Sequence, residues 1–197
     1  MGKVVINEDD IRLMISEVIN RVNTVSTEEA EFEDVVKSTM TEIDNFLNNF
    51  GLRAKLLKST YNDWVGQYRS RSSHAGVLKF SVSIPAIMRF REEIANDNDE
   101  FSYINPDVEA SLQVRLTLWH ECGHGLVEFI KKKRRTDTQM GTGIFKGKFL
   151  KDTRWLMGFV EEDLVEEFGE YMIGERYESD LYDYLSKYKE YLQFVRQ

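Results

Sequence analysis

One cysteine, two prolines, three histidines and no long apolar run are the scarcities of this chain, and each excludes something. A single thiol, Cys122, excludes an internal disulfide. With only Pro85 and Pro106 to interrupt them, long helices can run unbroken. No stretch approaches the roughly 20 apolar residues that span a bilayer, so no membrane partner is expected. MGKVVINEDD lacks the apolar core of a secretory signal. Basic charge is also in deficit: 26 Lys and Arg stand against 34 Asp and Glu, a net charge of −8. A nucleic-acid partner needs a basic face to meet phosphate, and none is expected. These absences together predict a cytoplasmic protein. What is present is ordinary for a soluble chain of 197 residues, with 42% hydrophobic and 30% charged residues. That length predicts one domain with a sizeable core, residues 1–197.

Periodicity divides the domain into four parts. Residues 1–51 read as N-terminal helices. Ile11, Met14, Ile15, Val18, Ile19 and Val22 recur at helical spacing over Asn7–Arg21, and Thr27 opens a second helix. Its stripe includes Phe32, Val35, Val36, Met40, Ile43, Phe46, Leu47 and Phe50, with Gly51 as its C-cap. Residues 52–85 read as a small sheet, its three strands taken as antiparallel, with turns near Asn62 and Ser72–Gly76. "GVLKFSVSIP" alternates cleanly, placing Leu78, Phe80, Val82 and Ile84 on one face and Lys79, Ser81 and Ser83 on the other. Pro85 ends that strand, and a short helix over Ala86–Ala95 follows. Residues 106–176 read as two helices joined by an irregular excursion over 135–151. Asn105 and Pro106 open the first helix, which runs to about Arg134, and Asp152 caps the second. Residues 179–197 carry a last helix, with Leu181, Tyr184, Leu185, Tyr188, Leu192 and Val195 as its apolar stripe.

The chemistry concentrates in "LWHECGHGL", residues 118–126. His120 and His124 stand four apart, so on a helix both rings face one way and can offer nitrogens to one metal ion. Zinc suits imidazole, and an open position leaves room for water. Glu121 is turned about 100° from His120, beside such a metal rather than on it. From there it can act as general base toward activated water and return the proton to a leaving amine. A histidine pair on a helix also arises without any metal, so the test is a third ligand. "GFVEEDLVEEFGEYMIG", residues 158–174, offers several candidates, although most acids in such a run belong to a solvated face.

HExxH followed by a glutamate on a second helix resembles the gluzincin branch of the zinc metallopeptidases. In that branch the downstream glutamate is the third ligand, a small residue follows it by three, and an acid or amide following by four orients a ligating histidine. "EEFGEY" fits with Glu166, Gly169 and Glu170, and is similar to the "EGFAEY" of aminopeptidase N-like enzymes. "HECGH" is closer to the "HELGH" of ImmA/IrrE-type peptidases, small intracellular enzymes that cut regulatory proteins. Their E-x-x-A-N-x-F-A can be laid on Glu162, Val165, Glu166, Phe168 and Gly169, with valine where alanine is expected. The resemblance covers roughly residues 76–176. It implies an α+β, zincin-like fold with a small antiparallel or mixed sheet and Zn2+ held by His120, His124 and Glu166. Glu162 is the alternative third ligand, with Glu161 and Asp163 after it. It further implies Glu121 as the catalytic base of a zinc metalloendopeptidase acting on a protein or peptide substrate. The edge strand that lines the substrate cleft would be "GVLKFSVSIP", with Ser81 and Ser83 toward the cleft. The alternative is a regulatory or binding protein that keeps the scaffold with little or no turnover. His74 reads as solvated surface, Cys122 as a packing residue, Tyr171 as packing or an oxyanion donor, and "KKKRR" as the cationic end of its helix.

Overall fold

The computed structural model describes residues 32–58, 64–70, 76–97, 108–136 and 144–193. The helix expected over Asn7–Arg21, the start at Thr27, the turns near Asn62 and Ser72, His74, the Asn105–Pro106 helix start and Val195 lie outside those residues. In chain order the described elements are helix α1 (32–48), strands β1 (Arg53–Leu56), β2 (Gly66–Tyr68) and β3 (Val77–Val82), and helices α2 (Ile84–Asp97), α3 (Ala110–Thr136), α4 (Ile144–Leu156), α5 (Glu161–Ile173), α6 (Asp180–Lys187) and α7 (Lys189–Leu192). This is an α+β arrangement, with a three-stranded sheet packed among helices.

α1 ends as its sequence predicts. Gly51 takes φ 69°, and the Leu52 amide reaches back to the Leu47 carbonyl, the αL termination that only a residue without Cβ adopts freely. Ile43, Leu47 and Phe50 deliver its apolar stripe to the core.

The sheet is mixed rather than antiparallel throughout. Its order is β1-β3-β2: β1 runs parallel to β3 with Arg53 opposite Val77, while β2 runs antiparallel with Gly66 opposite Val82. Pairing successive strands as neighbours misplaces β3, which is central because the chain carries β2 across to the far edge. The cleft strand expected in "GVLKFSVSIP" is therefore this central strand, and Ser81 and Ser83 are buried. Pro85 does not merely end it. Proline tolerates the first turn of a helix, so α2 begins at Ile84 with the Ser83 hydroxyl accepting from the Ala86 amide.

α3 lies at the centre, with the sheet on one side and α5 on the other. Leu118, Cys122 and Leu126 are buried, as are Trp119, Gly123 and Val127. Among the described residues it opens at Ala110, after non-helical 108–109, with the Glu109 carbonyl accepting its first bond. The expected single helix from Asp152 to Arg176 is two. A turn at 157–160 separates α4 from α5, tightened by bonds from Gly158 to Trp155 and from Phe159 to Leu156. Residues 144–151, expected as irregular, are helical, and Asp152 sits inside α4, where it accepts from the Tyr188 hydroxyl. α5 starts with Glu161, Glu162 and Asp163 in its first turn, where negative charge suits the helix dipole, and ends at Gly174 with φ 89°. Ser179 caps α6, accepting from the Tyr182 amide. Leu181, Tyr184, Leu185, Tyr188 and Leu192 bury the expected stripe, although Tyr188 breaks the helix between α6 and α7. Among the described residues no helix is long and apolar enough to cross a membrane.

Candidate metal centre

Two close approaches bring α5 against α3. A Cβ added to Gly123 would lie 3.0 Å from the Val165 Cβ, and one added to Gly169 would lie 3.0 Å from Leu116 and 3.4 Å from the His120 amide nitrogen. Position 165 thus meets residue 123 while 169 meets 116 and 120, so the helices run antiparallel with little space between them. That register carries the first turn of α5 to the histidine rings.

At the rings, His120 Nε2 and His124 Nε2 are 3.2 Å apart. A Glu162 carboxylate oxygen lies 3.5 Å from the first and 3.6 Å from the second. Ligands about 2.0–2.2 Å from a tetrahedral ion are about 3.3–3.6 Å from one another, so these three atoms are spaced to hold one. His120 is buried, and burial together with the neighbouring His124 pushes its pKa down to about 4. Its imidazole is therefore neutral at physiological pH, the form that binds metal.

Glu166, preferred on the glutamate pattern, is outside this group. The antiparallel packing places it four residues, about 6 Å, further along α5 toward the Leu116 end of α3. Burial and the charges of Glu170, Asp163 and Glu162 raise its pKa, as expected of one acid among several. Glu170 does not reach a histidine either. It pairs with Arg176 at 3.0 Å, and Glu167 shares that guanidinium at 2.9 Å. The carboxylate that meets a histidine from behind is Glu161, 2.9 Å from His124 Nδ1, and its other oxygen takes the Lys131 ammonium. Sequence reading missed this pair. Its only signal is that Lys131 stands seven residues after His124, two turns on and nearly eclipsed with it.

Glu121 faces β2, beside the histidines in the same cavity. It is only 6% exposed, and burial raises its pKa to about 7 even though the Tyr68 amide donates to it. Gly66 makes the space: a Cβ there would lie 2.6 Å from Glu121 Oε1 and 2.7 Å from Thr117. A glycine within a strand often marks such a close approach, so "DWVGQYRS" carried a signal that alternation did not.

His120, Glu121, His124 and Glu162 share a cavity of about 730 Å³. The edge strand beside it is β2, with Trp64, Val65, Gln67 and Tyr68 along the wall. Trp64 stands 65% exposed at the rim. Of the "KKKRR" run, expected as the cationic end of its helix, Lys131 lines the cavity, whereas Cys122 and Tyr171 lie away from its wall. Cys122 is fully buried, its thiol pKa driven up by desolvation, and Tyr171 packs ring to ring with Tyr182 at 4.5 Å. Lys132 pairs with Glu128 at 2.6 Å near the end of α3. Compared with known proteins, the chain matches no family model, no curated protein and no solved structure.

Proposed function

We propose that this chain is a zinc-dependent metallopeptidase in which His120, His124 and Glu162 hold the metal and Glu121 is the general base. The observation that carries the reading is convergence. Three atoms spaced as tetrahedral ligands and one separate, buried carboxylate open into the same cavity. Zinc is the choice because imidazole and carboxylate donors in a small tetrahedral set suit it. Bound there, it would supply Lewis acidity that makes water nucleophilic near neutral pH.

The protein's own groups account for the rest. As water adds to the scissile carbonyl carbon, the Glu121 carboxylate takes the water proton. It then gives that proton to the amine nitrogen as the C–N bond breaks. A pKa of about 7 suits both halves, since the group must accept and release one proton at the same pH. The Tyr68 amide and the absent side chain of Gly66 hold the carboxylate beside the ligands. The β2 edge offers backbone groups to an extended peptide, the usual mode of strand addition.

Elemental analysis after mild dialysis should find one zinc per chain. Clearly substoichiometric zinc, with no gain on addition, would overturn the reading. Cleavage of an unfolded protein substrate by the zinc-loaded chain should fall on the order of 10²–10⁴-fold in Glu121→Gln, with zinc retained. Undiminished cleavage would remove Glu121 from the role of base.

A further inference from the structure

We infer that Glu161, held in place by Lys131, positions His124 for the metal by accepting the proton on Nδ1 and so leaving Nε2 bare. The inference rests on the zinc reading and adds two residues to it.

The two nitrogens of an imidazole point in roughly opposite directions. In His124 one of them, Nε2, faces His120 and Glu162, and the other, Nδ1, faces Glu161 at 2.9 Å. A carboxylate accepts only, so the proton of that bond belongs to Nδ1. A neutral ring with its proton on Nδ1 has its lone pair on Nε2. Adjacent residues of one helix turn thus serve opposite sides of one ring: Glu162 reaches the metal side and Glu161 the back.

Glu161 is not itself free to bind the metal. One oxygen is engaged by His124 and the other by Lys131. Lys131 shares the His124 face of α3 two turns on, and from there its ammonium meets Glu161. The Lys131–Glu161 pair is partly exposed, at 43% and 39%, and an ion pair so exposed adds little to stability. Its consequence is orientation: it prevents Glu161 from turning to solvent or from competing with Glu162.

The test uses the full chain. In the metal-free wild type, ring-nitrogen NMR should show His124 protonated on Nδ1. Zinc affinity, measured by competition with a chelator, should fall about 10–100-fold in Glu161→Ala. Glu161→Gln keeps an acceptor oxygen without the charge and should lose less. Lys131→Met should weaken binding in the same direction while leaving the melting temperature of the metal-free chain in place. Wild-type affinity in Glu161→Ala, or a wild-type His124 protonated on Nε2, overturns the positioning role. If Glu161→Ala does not fold, the Gln and Met variants decide in the same way. A wild-type chain that binds no zinc overturns the zinc reading itself, an outcome distinct from binding that survives the loss of Glu161.

Discussion

Glu121 and His120 are neighbours in sequence, and burial acts on them with opposite sign. Glu121 is raised from 4.5 to about 7, so the folded chain favours its protonated form. Between those values the unfolded chain releases the proton while the folded chain keeps it. The contribution is therefore complete below pH 4.5 and lost as pH rises through about 7. His120 is lowered from 6.5 to about 4, so its contribution is complete above pH 6.5 and lost as pH falls toward 4. Each is worth ~3 kcal/mol in the metal-free chain. Glu121→Gln removes the first and leaves the second. Urea unfolding of the metal-free chain should find the Gln variant more stable by ~3 kcal/mol at pH 8 and equal to wild type at pH 4. Equal stability at pH 8 would show that Glu121 is not held buried and anionic there. The acids of α5 separate at the same scale. Glu162→Ala removes an oxygen that both histidines face and should weaken zinc binding severely, whereas Glu166→Ala should stay near wild type. The reverse order in a chelator titration would restore Glu166 as the ligand.

At the scale of elements, the site is the seam where β2, α3 and α5 meet, and two glycines set its dimensions. Gly123 admits Val165, and this contact sets how closely the start of α5 approaches the rings. The branched valine at 165 fits there because a glycine faces it across the seam. Gly66 sets the other side. An added methyl would overlap Glu121 Oε1 at 2.6 Å, and the carboxylate would have to move. Gly66→Ala should therefore lower turnover on the order of 100-fold, the scale of a misplaced catalytic group, while zinc content stays at one per chain. Loss of zinc together with activity would mean that the substitution disturbs α3 rather than Glu121 alone. Helical periodicity and the C-cap at Gly51 were legible because each depends on residues within a turn of one another. The break between α4 and α5 was not. "KDTRWLMGFVEEDLVEE" has no proline, and Gly158 alone does not reveal that the chain must turn to bring Glu161 and Glu162 to α3.

For the whole molecule, a metal at this seam would tie α5 to the central helix and bind the folded chain only. With free zinc at 100 times its dissociation constant the folded state gains ~3 kcal/mol. For a domain of this size that raises the melting temperature by roughly 5–10 °C. A chelator should reverse the shift, and Glu162→Ala should abolish it. A wild-type melting temperature indifferent to zinc would argue against a site joining the two helices.

The sequence by itself determined that two histidines face one way from a helix, that a glutamate lies beside them, and that an acid-rich helix follows. Those are consequences of 3.6 residues per turn, which acts over a few neighbours. It could not choose among Glu162, Glu166 and Glu170, because residues four apart on a helix are equivalent to any local rule. Nor could it place β3 at the centre of the sheet, because parallel pairing with β1 has no signature within either strand. Only tertiary packing decided these. Val165 against Gly123, and Gly169 against Leu116, set the register of α5 on α3, and that register selects which carboxylate arrives at the rings and which stands behind His124.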